Sequence, residues 1–353
     1  MTPRPRAGPN PDGPILMATR AKQTAKRGRV AAKLPKTAKV AQIAKVAAGE
    51  LLTLLDFVRY AVSRFVEADL VFAHGTTDPV AEAAFLVCEI LHLHPDRFET
   101  FATARVTAAE GKKILEMIAR RVTTRKPAAY LVNKIYMRGL PFYVDERTIV
   151  PRSFIGELLD SHFGGQAIEG ENEEGDEAGA LIDDPRSVES VLDLCTGSGC
   201  LAILASQNFP NAQIDAVDIS SDALDVAARN VADYGLEDRV TLHRGDLFKP
   251  LGNKRYDLII SNPPYVDAEG MAALPRECRA EPKIAFDGGA DGLAIVRRLL
   301  NEAGRHLTPQ GGLLCEIGRG RGPVEAAFAQ LPLLWLDTED SDGEVFWIAA
   351  ADL

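Results

Sequence analysis

The sequence predicts an α/β fold with a mostly parallel, seven-stranded sheet, preceded by a small all-helical domain and a β-hairpin linker. From Ser187 onward, seven short apolar runs alternate with helical segments, as in sheets covered by helices on both faces. Between Leu51 and Lys126, in contrast, the apolar residues recur with helical spacing only. These two patterns predict two domains of different class in one chain.

Length and composition favour a globular protein of two domains. The 353 residues exceed one ordinary core, and 46% hydrophobic with 25% charged residues is typical of soluble proteins. The sequence contains no run of 18 apolar residues, so we predict no transmembrane helix. The five cysteines contain no C-x-x-C pair, so we expect reduced thiols in the cytoplasm and no metal.

The charges divide the chain into a basic arm and an acidic body. Residues 1–48 contain 11 Lys or Arg and one acid, which leaves 29 basic and 49 acidic residues for the remainder. The arm is poor in large apolar residues, so we expect it to be disordered. Met1 and Met17 are both candidate start positions. A contact with ribosomal RNA and a merely solvated tail both agree with this composition.

Helix signals define the helical domain, which we place at residues 49–128. Leu51 and Leu55 begin one amphipathic stripe that continues to Phe65. Asp78-Pro79 is typical of a helix start, and Thr107-x-x-Glu110 is a capping box. Extended runs at 136–140 and 142–149 predict the hairpin of a linker spanning 129–152.

The remaining residues, 153–353, form the second predicted domain, which has the α/β pattern. Its strands are expected at 191–195, 213–219, 240–243, 257–261, 312–317, 333–337 and 344–350, and its helices at 200–208, 222–234, 292–304 and 323–330. Residues 164–187 hold eight acids among several glycines, which predicts a solvated loop insertion.

A glycine-rich turn follows the first of these strands. In Asp193-Leu194-Cys195-Thr196-Gly197-Ser198-Gly199, the glycines allow the backbone to approach a ligand at the carboxyl end of the sheet. The third position of a dinucleotide fingerprint is Ala202, which by itself does not exclude NAD. Asp218 ends the next strand, where it could accept ribose hydroxyls or cap the following helix. Asp246 follows the third strand and could accept from an adenine amino group, and Asp193 could order the loop or contact the ligand.

The fourth strand ends in Asn262-Pro263-Pro264-Tyr265, which indicates the chemistry. Two prolines remove two N–H donors, so nearby carbonyls are free to accept hydrogen bonds. The Asn262 side-chain oxygen and a neighbouring carbonyl can together hold both hydrogens of a planar NH2 group, beside the Tyr265 ring. This arrangement suits methyl transfer to an amide or aromatic amine, because orientation and electrostatics carry the rate without a general base or metal.

These motifs resemble the class I (Rossmann-like) amino-methyltransferases. The segment Glu281-Pro282-x-x-Ala285-Phe286-x-Gly288-Gly289-x-Asp291-Gly292-Leu293 is similar to that of protein glutamine methyltransferases of the HemK/PrmB type. The run Val150–Leu159 looks like the branch that acts on ribosomal protein uL3, rather than the branch that acts on release factors. The resemblance covers residues 50–353 and does not extend to the arm or to the acidic insertion.

The resemblance implies S-adenosylmethionine as cofactor, uL3 as protein substrate and a role for each motif residue. The methionine part would lie against Asp193, Cys195, Thr196, Gly197, Ser198 and Gly199, the ribose against Asp218, and the adenine against Asp246 and Leu247. Asn262 would adjoin both cofactor and substrate amide, with Pro263, Pro264 and Tyr265 shaping the pocket. The helical domain would recognise the substrate.

Other functions also agree with parts of the sequence. Motifs similar to N-P-P-Y serve DNA and RNA amino-methyltransferases, although the catalytic part here is acidic. A release-factor methyltransferase and a binding module that kept the fold are further alternatives. His92-x-His94 is a weak metal signal, and Glu316 and Arg319 are interpreted as structural residues.

Overall fold

The computed structural model describes residues 50–76, 78–163, 181–339 and 341–353. The predicted basic arm, residues 1–48, lies outside the described residues, as do residues 164–180 of the acidic insertion. The predictions made for these two segments therefore stay predictions. Among the described residues, no helix is long and apolar enough to cross a membrane.

The N-terminal part of the described chain is helical, as the sequence predicts. Its helices are α1 Leu54–Glu67, α2 Pro79–Ile90, α3 Phe98–Phe101, α4 Ala108–Thr124 and α5 Ala128–Val132. The predicted Asp78 cap and the Thr107–Glu110 capping box are both confirmed. The apolar faces of α1, α2 and α4 meet in one core around Phe65, Leu86 and Ile114. Leu55, which was predicted on the buried stripe of α1, is instead about half exposed, and Leu54 packs in the core.

The linker hairpin is shorter than the sequence predicts. Strand β1 (Ile135–Met137) pairs antiparallel with β2 (Leu140–Phe142) around Gly139. The prediction that the second strand extends to residue 149 is wrong. At Tyr143 the backbone N–H donates to the side chain of Asn230 (2.8 Å) in the C-terminal part of the chain, so the chain leaves the hairpin there.

The C-terminal part of the chain contains the predicted seven-stranded sheet. Its strands are β3 Ser190–Leu194, β4 Gln213–Asp218, β5 Val240–Arg244, β6 Tyr256–Ser261, β7 Leu307–Glu316, β8 Leu334–Thr338 and β9 Ser341–Ala349. The order is β5-β4-β3-β6-β7-β9-β8, with β9 antiparallel to both neighbours and the other pairs parallel. The predicted fold class is confirmed.

Helices cover both faces of this sheet. They are α6 Ile155–Ser161, α7 Cys200–Asn208, α8 Ser221–Asp233, α9 Ala268–Ala273, α10 Ala294–Glu302 and α11 Arg321–Ala327. The sequence did not predict α6 and α9, which are short. Separate apolar clusters fill the two faces, one including Leu204 and Ile260 and the other including Val296 and Leu313.

The strand order places a crevice at the carboxyl end of β3, inside the sheet. Strand β3 lies between β4 and β6, so the chain turns one way after β3 and the other way after β5. Ligands in open α/β sheets bind at such a switch point, beside the carboxyl ends of the strands. The glycine-rich turn follows β3 and the Asn262 motif follows β6, so both meet at this crevice.

Candidate active site

A cavity of about 470 Å³ lies at the carboxyl ends of β3 to β6. This is within the range of about 300–1,000 Å³ found for small-molecule sites. Its walls include nine of the residues that the sequence singles out: Cys195, Gly197, Asp218, Asp246, Leu247, Asn262, Pro263, Pro264 and Tyr265. Asp193, Thr196, Ser198 and Gly199 belong to the same loop but are not among the lining residues.

The glycine-rich loop is shaped by left-handed backbone and close packing. Gly197 has φ +57° and Gly199 has φ +79°, and a Cβ on Gly199 would lie 3.2 Å from the Cβ of Ala227. Behind the loop, Asp193 accepts the Thr196 hydroxyl (2.5 Å) and the Ala202 N–H (3.1 Å). Of the two roles considered for Asp193, these contacts favour ordering of the loop. Burial raises the pKa of Asp193 to about 7.

Asp218 lies at the start of the following helix, as one of its two interpretations predicts, and its contact with a ribose stays a prediction. One carboxylate oxygen accepts the Gly197 N–H (2.9 Å), and the other accepts the Ser220 N–H (2.8 Å). Asp218 therefore joins the glycine loop to the start of α8, whose N-cap is Ser220. Burial raises its pKa, although the backbone donors act in the opposite direction. Because it also lines the cavity, its remaining lone pairs are available to ligand hydroxyls.

Asp246 lies at the outer rim of the cavity between two cations. Lys249 donates to it at 2.6 Å and Arg298 at 2.8 Å. The hydrogen bond from Lys249 is the main reason that its pKa is lowered, with Arg298 adding to the effect. An adenine amino group at Asp246 would share this carboxylate with the two basic side chains. The neighbouring Leu247 has φ +52°, so a strained residue presents its side chain to the cavity.

The Asn262 side chain has a defined orientation. Its Nδ2 donates to the Arg152 carbonyl (3.2 Å) and to Oε1 of Glu316 (3.0 Å). Both partners are acceptors, so the amide nitrogen must face them. Both amide hydrogens are engaged, which leaves Oδ1 as the polar atom of Asn262 that is available to a ligand.

Glu316 ends β7 and is almost fully buried. Its second oxygen accepts the Ser153 hydroxyl (2.6 Å) and the Phe154 N–H (2.9 Å). Burial raises the pKa of Glu316 to about 7. The interpretation of Glu316 as a structural residue did not foresee its contact with Asn262, since 54 residues separate them.

The Glu281–Leu293 segment forms backbone hydrogen bonds with the residues that follow the Asn262 motif. Val266 donates its N–H to the Phe286 carbonyl (2.8 Å) and accepts the Gly288 N–H (2.9 Å). At Gly292, which has φ +78°, a Cβ would lie 2.5 Å from the Tyr265 carbonyl oxygen. The glycines of this signature therefore permit close approach to the backbone of the motif. Burial raises the pKa of the Tyr265 hydroxyl.

Glu281 connects the helical part to the site. It accepts the Val150 N–H (2.9 Å), pairs with Arg152 (2.9 Å) and contacts His74 (3.1 Å). Burial acts to raise the pKa of Glu281, but the hydrogen bonds from His74 and Arg152 outweigh it and hold the pKa below its usual value. The Arg152 guanidinium also lies 5.8 Å from the centre of the Phe286 ring.

His74, Cys278 and Glu281 are the group whose atoms could hold a metal ion among the described residues, since they lie within 4.8 Å of one another. The lone pairs of Glu281 are already directed at three donors, and a guanidinium adjoins its carboxylate. These contacts account for the cluster without a metal, and the prediction that the protein uses none stays a prediction.

Several lining residues were not singled out as site residues by the sequence. They are Arg147, Thr148, Ile149, Arg152, Val217, Ile219, Ser220, Ala223, Gly245, Val266, Leu274, Pro282, Ile284, Ala285, Phe286, Asp287, Ile295 and Arg298. The sequence did offer a way to find two of these groups, since Arg152 and Pro282–Phe286 lie in segments that carry the family resemblance. The apolar side chains Ile219 and Ile284 are about half exposed, so they form an open rim.

Comparisons with known proteins agree with this architecture. Residues 180–275 match the family model "Methyltransferase small domain". A curated uL3 glutamine methyltransferase from Bradyrhizobium diazoefficiens is 74% identical over 96% of this chain and 100% of its own length. One from Burkholderia pseudomallei is 51% identical over 85% of this chain and 95% of its own. The solved ribosomal protein L11 methylase of Lactobacillus delbrueckii subsp. bulgaricus covers 45% of this chain and 67% of its own, with 23% identity and a TM-score of 0.32, too low to bear on function.

The sheet order, the glycine loop and the Asn262 motif define a methyltransferase of the Rossmann-like class. Within that class, the chain belongs to the family of ribosomal protein uL3 glutamine methyltransferases. The resemblance to the uL3 branch is thereby confirmed. The roles assigned to individual site residues stay predictions.

Proposed function

We propose that the protein transfers a methyl group from S-adenosylmethionine to the side-chain amide nitrogen of a glutamine in ribosomal protein uL3. The relatives that share nearly the whole chain are named for this activity. The observation that carries the proposal for this chain is the orientation of Asn262. Its amide nitrogen is bound by Glu316 and Arg152, so its oxygen is free to accept an N–H from a substrate amide.

The cavity fits the proposed cofactor by its shape and donor set. Gly197 lets the backbone approach a ligand, and Asp218 offers carboxylate lone pairs in a partly buried position where ribose hydroxyls can donate. Leu247 and Ile219 supply apolar surface for a base, with Asp246 at its edge. When bound, S-adenosylmethionine supplies a methyl group activated by its positively charged sulfur.

The Asn262 motif performs the orientation of the substrate. The nitrogen of a primary amide is a poor nucleophile because its lone pair is delocalised into the carbonyl. Asn262 Oδ1 accepts one N–H of the glutamine amide, and the Pro263 carbonyl accepts the other. These two acceptors fix the plane of the amide and stabilise the positive charge that develops on nitrogen. The proton leaves after attack, so no general base is needed first.

Apolar walls around the motif strengthen these hydrogen bonds. Tyr265, Phe286 and Ile284 line the cavity together with Asn262. Once a substrate segment covers the open rim, water is excluded and the local dielectric falls, so each hydrogen bond to the amide is worth more than in solution.

The test is to incubate the enzyme and labelled S-adenosylmethionine with purified uL3, and separately with a release factor and with ribosomal RNA. Mass spectrometry then locates the added methyl group. We expect label on one glutamine amide of uL3 and none on the release factor. Label on the release factor alone would keep the chemistry and overturn the substrate, and label on nucleic acid alone would overturn both.

We also propose that the basic arm, residues 1–48, contacts ribosomal RNA. It holds 11 Lys or Arg and one acid, and such a positive segment is attracted to the phosphates of RNA. A chain lacking these residues should methylate free uL3 at the normal rate. It should act more slowly on assembly intermediates of the large ribosomal subunit, and the difference should vanish at high salt. Equal rates on both substrates at low salt would exclude this contact.

A further inference from the structure

We infer that Glu316 is a positioning residue for methyl transfer, because its carboxylate holds the Asn262 amide in the one orientation that presents Oδ1 to the substrate. The inference rests on the proposed function, in which Asn262 binds the substrate amide. Glu316 is 2% exposed and is not among the lining residues of the cavity. It therefore acts through Asn262 and does not touch the substrate.

The contacts of Glu316 divide between its two oxygens. Oε1 accepts from Asn262 Nδ2 at 3.0 Å, while Oε2 accepts the Ser153 hydroxyl at 2.6 Å and the Phe154 N–H at 2.9 Å. All three partners donate, so the site is matched to an acceptor on both oxygens. The Ser153 and Phe154 donors fix the carboxylate plane, and the carboxylate in turn fixes the amide.

A flipped Asn262 is excluded by the same contacts. Rotation of the amide by 180° would place Oδ1 against a carboxylate oxygen and against the Arg152 carbonyl oxygen, 3.0 and 3.2 Å from the present nitrogen position. Two oxygen–oxygen contacts would replace two hydrogen bonds. Without Glu316, the Arg152 carbonyl alone would hold the amide, and flipped orientations would become accessible.

The segment that carries Ser153 and Arg152 is itself anchored on both sides. Glu281 binds the Val150 N–H and the Arg152 guanidinium, and Glu316 binds Ser153 and the Phe154 N–H. Two buried carboxylates from distant parts of the chain therefore hold this short segment beside Asn262. These contacts account for the first half of the Val150–Leu159 run, Val150 to Phe154, as a support of the Asn262 amide.

The primary test is Glu316→Gln, measured with uL3 as substrate. A glutamine at position 316 has only one acceptor oxygen for these donors. If the oxygen faces Asn262, the NH2 group meets the Phe154 N–H, and if it faces Phe154, the NH2 group meets the Asn262 amide. In either orientation the Asn262 amide is held less firmly. We expect kcat to fall about 30- to 100-fold, as for small displacements of a reacting group. The KM for uL3 and the Kd for S-adenosylmethionine should stay within about threefold, because Glu316 contacts neither.

Asp257→Asn is the matched control. Asp257 accepts the N–H groups of Glu189 and Ser190 and the Ser190 hydroxyl. It lies at the amino end of β6, whereas Asn262 follows the carboxyl end of the same strand. Its replacement removes a similar set of hydrogen bonds without reaching Asn262, so kcat should be unchanged. Ser153→Ala gives a milder probe that keeps Glu316, and we expect a three- to tenfold loss of kcat, about the value of one hydrogen bond.

A double-mutant cycle separates positioning from a merely structural role. In an Asn262→Ala background, Glu316→Gln should change the residual rate by less than about threefold, because the group that it positions is absent. An equal loss in both backgrounds, or a kcat for Glu316→Gln that matches Asp257→Asn, would overturn the inference. Near-normal turnover by Asn262→Ala alone would instead overturn the proposed role of Asn262.

Discussion

The buried carboxylates near the two ends of the sheet strands, Asp215 on one side and Asp193 and Glu316 on the other, are held in opposite ways. Near the amino ends of the strands, Asp215 accepts from His243 (2.6 Å), Lys254 (2.9 Å) and Tyr256 (2.8 Å). Burial acts to raise the pKa of Asp215, but these partners outweigh it and lower the pKa. At the carboxyl ends, Asp193 and Glu316 accept only from neutral donors, and burial raises the pKa of each to about 7.

The difference indicates that burying Asp193 and Glu316 beside the site lowers the folding stability. A buried carboxylate without a cation is costly, whereas one paired with Lys or His offsets part of its desolvation. At the site edge, the acceptors are directed at the glycine loop and at the Asn262 amide, which a competing side-chain cation would disturb. Asp246 differs because it lies at the rim, where Lys249 and Arg298 neutralise it.

The strongest test of the comparison is Asn262→Ala, which removes the group that the site edge supports. We expect kcat to fall about 10²- to 10³-fold, the usual cost of losing an oriented polar group at the reacting centre. Calorimetry should show nearly unchanged binding of S-adenosylmethionine. Asn208→Ala, at the end of α7 and bonded to Asp160, is the matched control and should keep normal turnover.

The next effect is a pH dependence of opposite sign at the two edges. Asp193 has a folded pKa of about 7, above its unfolded value, so its contribution is present below about pH 4 and lost as the pH rises to 7. Relative to Asp193→Asn, the wild type should lose up to about 4 kcal/mol of unfolding free energy over that range. Asp215 has a lowered pKa, so its contribution is present above about pH 4 and lost as the pH falls below it. Urea unfolding of the wild type, Asp193→Asn and Asp215→Asn at several pH values measures both contributions. Parallel pH curves for the two variants, each taken relative to the wild type, would contradict the comparison.

A smaller effect is expected for Asp218→Ala. The substitution removes lone pairs from the cavity and the link between Gly197 and Ser220. The Kd for S-adenosylmethionine should rise about 10- to 50-fold, equivalent to one or two charge-assisted hydrogen bonds. The kcat at saturating cofactor should change much less. Isothermal titration gives the Kd directly, and an unchanged value would remove Asp218 from the cofactor site.

The smallest effect is on stability at the amino-terminal edge. Asp257→Asn should lower the unfolding free energy by about 1–2 kcal/mol, since it weakens charge-assisted bonds to Glu189 and Ser190. Thermal denaturation measures the loss at neutral pH. A loss of activity together with stability would show that the two edges are coupled, contrary to their separation here.

Much of the fold could be predicted because its signals are local. The capping box at Thr107, the proline after Asp78 and the alternation of strands and helices each lie within a few residues. The hairpin end was missed because Tyr143 bonds to Asn230, 87 residues away. The helices α6 and α9 were missed because seven and six residues are too few for a clear helical period.

The sequence by itself determined the parallel sheet, the glycine loop, the Asn262 motif and Asp218, since each is a short pattern with its own physical meaning. Only the tertiary structure decided which way the Asn262 amide faces. The partners that orient it, Arg152 and Glu316, lie 110 and 54 residues away. Parallel strands bring such distant segments together through crossover connections, and no local pattern records which side chains then meet.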